Sequence, residues 1–144
     1  MTSQLEATEA LLGVFNTHWS GLGYDYQIYG ERFDASSRSD PWAKVTIREV
    51  SAPQHTFGTP GSGRKFERVG LMIIQVNTLS MAGSERNAVK QGLVLGDGVR
   101  KIFEGQRVPG TNIHFRQVTA REAGLNGRWA VTSVEASFSY YETR

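Results

Sequence analysis

The chain has 144 residues, no cysteine and a formal net charge of +2 at pH 7, with lysine and arginine spread along its length. The lack of cysteine excludes disulfides, thiolate nucleophiles and cysteine zinc sites, and so small and dispersed a charge does not by itself predict nucleic-acid binding. No apolar run predicts a membrane span, and the polar, acidic start MTSQLEATEA is not typical of a signal peptide. We therefore expect one domain over residues 1–144.

The first half of the chain predicts a helix followed by three strands. Ser3 and Glu6 form a capping-box pattern that opens a helix ending near Trp19. Apolar residues recur along it at roughly helical spacing, namely Leu5, Leu12, Phe15 and Trp19, with Leu11 beside them. Strands are predicted over residues 24–33, 42–50 and 65–78, and the second of these alternates Ala43, Val45 and Ile47 with polar residues.

The second half predicts a helix and two further strands. The helix covers residues 84–104, with Ala88, Gly92, Leu95, Val99 and Ile102 or Phe103 on one face. Gly92, Gly96 and Gly98 weaken it, and a closely packed partner is one explanation for them. Strands follow over residues 113–119 and 128–142, joined by a turn at residues 120–127.

The predicted order is therefore α-β-β-β-α-β-β, and the connections are mostly short enough for antiparallel pairing. This indicates an α+β domain in which an antiparallel sheet of about five strands carries both helices on one face. The predicted core residues are Trp42, Val45, Ile47, Ile73 and Phe138.

The connection at residues 51–64 raises the possibility of a phosphate-binding loop, because it contains FGTPGSGRK. However, Arg64 stands where a Walker loop needs lysine, and no serine or threonine follows to hold magnesium. The next segment is a strand pattern, so no helix N-terminus faces the phosphates. We predict instead a strand-connecting hairpin, longer than most, that docks on a neighbouring subunit through Phe57, Arg64, Lys65 and Arg68.

Other residue types suggest no reaction centre. His18, His55 and His114 lack metal-ligand spacing, and no pattern combines a nucleophile, a base and an oxyanion site. Tyr24, Tyr26, Tyr29 and Phe33 have the chemistry to stack bases, but their strand spacing favours core packing. We therefore expect no catalytic, metal or cofactor site.

The layout resembles the tail terminator family of long-tailed bacteriophages, whose members are also called tail completion or minor tail proteins. The resemblance covers nearly the whole chain. It is carried by QIYGERFD, by P-W-x-x-V-x-I at residues 41–47, by R-x-G at residues 68–70 followed by LMIIQV, by the helix MAGSERNAVKQGLVLGDGVRKIF and by the closing strand RWAVTSVEASFSYYE.

The resemblance implies a structural virion protein in the tail or neck, present in the host cytoplasm during assembly. Such proteins form a hexameric ring on the tail tube that stops tube growth and presents a surface for the head. The implied partners are copies of the chain, the tube protein and head–tail connector proteins, with DNA passing through the lumen unread and no membrane involved. Three alternatives stay open: another neck protein, a nucleic-acid-binding module using Tyr24, Tyr26, Tyr29 and the basic residues near Arg64, and a small enzyme.

Overall fold

The computed structural model describes residues 4–30, 39–51, 65–80, 85–108 and 110–143. In chain order the elements are α1 (Gln4–Gly21), β1 (Asp25–Ile28), β2 (Trp42–Ser51), β3 (Lys65–Leu79), α2 (Glu85–Phe103), β4 (His114–Asn126) and β5 (Trp129–Thr143). The predicted order α-β-β-β-α-β-β and the α+β class are therefore confirmed. No helix in these ranges is long and apolar enough to span a bilayer.

The strands form one five-stranded sheet in the order β1-β2-β3-β5-β4. The β2–β3, β3–β5 and β4–β5 pairs are antiparallel as expected, but β1 pairs parallel to β2. The strand predicted to reach residue 33 ends at Ile28, so residues 29–41 lie between the two strands. That is about the dozen residues that a crossover to a parallel neighbour requires.

Both helices lie on one face of the sheet, as predicted. That face of β5 buries alternate residues from Ala130 to Tyr140, and α2 packs against its Thr132 and Val134. Helix α1 buries a stripe at strict four-residue spacing, namely Ala7, Leu11, Phe15 and Trp19. Leu5, expected on that stripe, is exposed, because it precedes Ala7 by two residues and points away from the sheet.

The glycines of α2 allow that helix to lie close to the sheet. A Cβ on Gly92 would stand 2.6 Å from Thr132 Oγ1, and a Cβ on Gly96 would stand 2.8 Å from Thr132 Cγ2. Gly98 faces α1 instead, where a Cβ would meet His18 Nε2 at an ordinary 3.5 Å. The close partner inferred from the sequence is therefore β5 for the first two glycines. Thr78 adds a hydrogen bond from its hydroxyl to the Ala88 carbonyl of α2 at 2.7 Å.

Two of the five expected core residues lie on the opposite, open face of the sheet. Val45 and Phe138 are buried in the core, and Ile47 packs at its margin. Ile73 stands between the buried Met72 and Ile74, so the two-residue period of a strand turns it outward. Trp42 is half-buried on the same open face and meets Trp129 edge-on, with ring centroids 5.9 Å apart.

The turn predicted at residues 120–127 is instead mostly strand. β4 continues to Asn126, with an irregularity between Glu122 and Leu125. Gly124 lies there with φ of 88°, a conformation that suits a β-bulge. The actual reversal follows Asn126 and is short, because Asn126 already pairs with Trp129. The sheet therefore ends in a 13-residue edge strand.

Candidate subunit interface

Two of the four predicted contact residues, Lys65 and Arg68, belong to β3. Phe57 and Arg64 fall outside the described residues, as do all of residues 52–64 of the predicted hairpin, whereas Ser51 ends β2. Lys65 is the first residue of β3. Arg68 is therefore the one member of the predicted set whose side-chain contacts the structure describes, and the docking role of the hairpin stays a prediction.

Arg68 lies between two carboxylates of its own chain. Its Nε donates to Glu142 Oε2 at 3.0 Å, and its Nη1 approaches Glu49 Oε1 at 3.3 Å. The pairing places Glu49 of β2 and Glu142 of β5 on either side of β3, and the arginine side chain is only 15% exposed. Charge-assisted bonds of this kind fix a side chain. The guanidinium therefore links three strands of the same chain.

Tyr140 of β5 is buried beside Arg68 of β3. The charged groups around Arg68 therefore affect the pKa of the Tyr140 phenol. The pKa of Tyr140 is raised to about 12, chiefly by burial and then by the nearby Glu49 and Glu142 carboxylates, while Arg68 opposes the shift. Next to the phenol lies a cavity of about 30 Å³. It lies between α1 and the sheet and is lined by Gln4, Ala7, Thr8, Ile47, Glu49, Phe138 and Tyr140. That volume admits a water molecule or two but no metabolite.

The open face carries two further ion pairs, both reaching outward to β4. Arg116 contacts the buried Glu67 carboxylate of β3, and its Nε lies 3.4 Å from the Ser139 hydroxyl. Arg121 lies 3.5 Å from Glu135 of β5. In both pairs the cation is on the outermost strand and the carboxylate is on an inner one, so on the open face the arginines lie nearer the sheet edge than their carboxylates.

The β4 edge also presents apolar surface. A groove of about 490 Å³ runs between α2 and β4, lined by Leu93, Asp97, Arg100, Val118, Thr119 and Ala120. Leu93 is 43% exposed at its rim, and Leu125 near the end of β4 is 57% exposed. Asp97 pairs with Arg100 and Lys101, and the hydrogen bond from Arg100 is the main reason that the pKa of Asp97 is lowered.

The opposite edge of the described sheet, at β1, has its own exposed apolar residues. Leu22, between α1 and β1, is 44% exposed, and Tyr29, directly after β1, is 63% exposed. The Lys44 ammonium lies 5.6 Å from the centroid of the Tyr29 ring. Most of the large exposed apolar residues in the described ranges therefore lie beside one sheet edge or the other, or on α2.

Two of the tyrosines considered for base stacking are instead used in packing. Tyr26 meets Phe15 edge-on at 5.2 Å, and Tyr24 lies 5.6 Å from Trp19, both on α1. Core packing, favoured from their spacing, is thus what the structure shows for this pair. Within the described ranges, histidine and carboxylate side chains form no cluster able to hold a metal ion.

The sequence did not single out Leu93, Arg116, Arg121 or Leu125. Their importance depends on β4 being the outermost strand, which no local pattern in a single strand reveals. One usable signal was present, since Arg116 and Arg121 occur within one predicted strand and its turn, and charged residues are common on edge strands.

Comparisons with known proteins describe the fold and go no further. No family model matches the chain, and no curated protein matches its sequence. Among solved structures 26 chains match. One of them aligns over 95% of both chains with a TM-score of 0.53 at 10% identity, and its name is a sequence identifier that states no activity. This likeness supports the α+β architecture alone.

Proposed function

We propose that the chain is a structural virion protein of a long-tailed bacteriophage that forms a hexameric ring on the end of the tail tube. The ring stops tube growth and offers the surface to which the head attaches. Its partners are other copies of the chain, the tube protein and connector proteins of the neck. No bound molecule is transformed in this role.

The observation that carries the proposal is the construction of the sheet edges. β4 is a 13-residue strand at the end of the sheet order, and Leu93 and Leu125 expose apolar surface beside it. A long edge strand with apolar neighbours can pair with another chain, and the irregularities and arginines of β4 restrict which chain that is. In a subunit that associates through its sheet edge, an uncovered strand of this length provides the surface for the contact.

The element order adds support from the sequence resemblance. The chain has the element order that its sequence predicts, and the resemblance to the tail terminator family was drawn from that layout. Folds host many functions, however, so this agreement supports the proposal only together with the edge geometry. A ring also requires two different surfaces per subunit, and the β1 and β4 edges differ in length and side chains.

The test is to mix the purified protein with tail tubes assembled from the tube protein of the same phage. The proposal predicts rings at tube ends in electron micrographs and tubes that stop elongating when fresh tube subunits are added. Sedimentation of the mixture should show the chain bound near six copies per tube end. Tubes that grow unchanged, with the chain left unbound as a monomer, would contradict the proposal.

A further inference from the structure

We infer that neighbouring copies join through their helices: the outer side of α1 in one subunit docks on the groove between α2 and β4 of the next. The outer side of α1 is defined by Leu5, Glu9 and Leu12, and the groove is the one with Leu93 at its rim. This inference rests on the proposed ring and names the contact that builds it.

The outer side of α1 is turned away from α2 and open to solvent. His18 faces α2, because a Cβ on Gly98 would lie 3.5 Å from its Nε2. Glu9 precedes His18 by nine residues, which is about two and a half helical turns, so it lies on the opposite side of the helix and is exposed. On either side of Glu9 along this surface, Leu5 is 67% exposed and Leu12 is half-buried.

The groove between α2 and β4 offers the apolar counterpart. It has a volume of about 490 Å³, and Val118 of β4 lies along it. Leu93 at its rim is 43% exposed, and the adjacent Val94 is 71% exposed. Amphipathic helices dock in apolar grooves through residues at spacings such as i and i+7. Leu5 and Leu12 have this spacing, so α1 can contact the groove with both leucines.

The charges of the two helices are complementary. Helix α1 contains two glutamates and neither lysine nor arginine. Helix α2 contains four basic and two acidic residues, a net charge of +2. Its Asp97 already pairs with basic residues of α2, whereas Arg86 and Lys90 are exposed. Because opposite potentials across an interface favour the correct partner and register, the acidic side of α1 fits the basic helix beside the groove.

The two surfaces lie toward opposite ends of the helix layer, as a ring requires. Helix α1 packs beside β1, where the Trp19 indole donates to the Asp25 carbonyl at 2.8 Å. Helix α2 packs toward β4, where Phe103 meets Phe115 with ring centroids 4.8 Å apart. Pairing of α1 with α1, or of α2 with α2, would bring like charges together, which is unfavourable. Docking of α1 on α2 is a heterologous contact, which closes into a ring when each copy is rotated by a fixed angle.

Chemical cross-linking tests the inference directly, because the natural chain has no cysteine. Gly13→Cys places a thiol on α1 where an added Cβ meets nothing within 4 Å, and Val94→Cys places one beside Leu93 on α2. The two variants are mixed, assembled on tail tubes and treated with a short flexible bis-maleimide. In the control mixture Gln91→Cys replaces Val94→Cys. Gln91 is exposed, but it precedes Gly98 by seven residues and so lies on the side of α2 nearer its own α1.

Covalent dimers are expected in the mixture of Gly13→Cys and Val94→Cys, at a much higher yield than in the control mixture. Dimers formed as readily by either variant alone would overturn the inference in favour of pairing between like helices. Capped tubes without the mixed dimer would overturn the inference while leaving the proposed function standing. Mixed dimers without capped tubes would support the contact and contradict the proposed function, and absence of both would overturn both.

Charge reversal gives an independent readout. Glu9→Lys and Lys90→Glu should each reduce the fraction of tubes that are capped, and the double variant should recover most of the loss. Arg48→Glu, at an exposed position on the open face of β2, should not recover the loss caused by Glu9→Lys. Circular dichroism and thermal melting of each variant check that the fold is kept. Losses that add in the Glu9→Lys and Lys90→Glu double variant, with the fold intact, would contradict a contact between the two helices.

Discussion

Replacing Gly96 by alanine tests the packing of α2 on the sheet. In an exposed helix interior the exchange of glycine for alanine stabilises by about 1 kcal/mol. Here the new Cβ would lie 2.8 Å from Thr132 Cγ2. Thr132 is buried, β-branched and held in β5 between β3 and β4, so it has little freedom to move.

The steric cost should exceed the gain in helix propensity. Overpacking a well-filled interior costs about 1–3 kcal/mol, and the stiffness of Thr132 favours the upper part of that range. We expect Gly96→Ala to lower the free energy of unfolding by about 1–2 kcal/mol after the propensity gain is subtracted. Urea denaturation followed by circular dichroism measures the change.

Gly13 provides the matched control, because it is an exposed helical glycine whose added Cβ would meet nothing within 4 Å. Gly13→Ala should stabilise the protein by about 0.4–1 kcal/mol. A second arm introduces Thr132→Ala, after which the nearest contacts of an alanine Cβ at position 96 are at 3.6 and 3.7 Å. The destabilisation caused by Gly96→Ala should then largely disappear, and a double-mutant cycle measures this coupling. If Gly96→Ala stabilises as much as Gly13→Ala does, the account of close helix packing is wrong.

Three further predictions concern the end of the sheet near the hairpin. Arg68→Met should lower the free energy of unfolding by about 1–3 kcal/mol, because Glu49 and Glu142 lose their shared cation in a half-buried site, and urea denaturation would show no loss if the ion pairs contribute nothing. Tyr140 should lose its proton at a higher pH in the folded protein than in the unfolded chain, because its pKa is raised from the ordinary 10.0 to about 12. The free energy of unfolding should therefore fall as the pH rises through that interval. Tyr140→Phe should remove that share of the alkaline loss and the last step of the tyrosinate absorbance titration, and an unchanged titration would refute the assignment. Replacing residues 55–63 by a short Gly-Ser turn should leave the melting temperature nearly unchanged and reduce tube capping, whereas normal capping would exclude a docking role for the hairpin.

The element order and the α2 face were predictable because both depend on local periodicity and on glycine placement. The spacing of Ala88, Gly92 and Val99 identified the buried face, and the glycines indicated a close partner. The number of strands followed from alternating segments in the same way. These features are properties of each segment taken alone.

The sequence-based predictions were wrong at positions whose environment is set by the pairing of neighbouring strands. The apolar run around Ile73 predicts a core residue, and only the register with β5 shows that Ile73 points to the open face. Gly124 was predicted to lie in a turn, yet the pairing of β4 with β5 continues past it. The role of Arg68 as a subunit contact stays a prediction, and the sequence did not show the two carboxylates of its own chain that surround it, because they lie far from it in sequence. The edge position of β4, on which the proposed subunit interface depends, is likewise a property of the whole sheet.

The most direct measurement of the central claim is the copy number and arrangement of the chain on isolated tail tubes, obtained by electron cryomicroscopy of tube ends. The account predicts a closed ring of six subunits at one end of each tube. Bare tube ends in the presence of excess folded protein would contradict it.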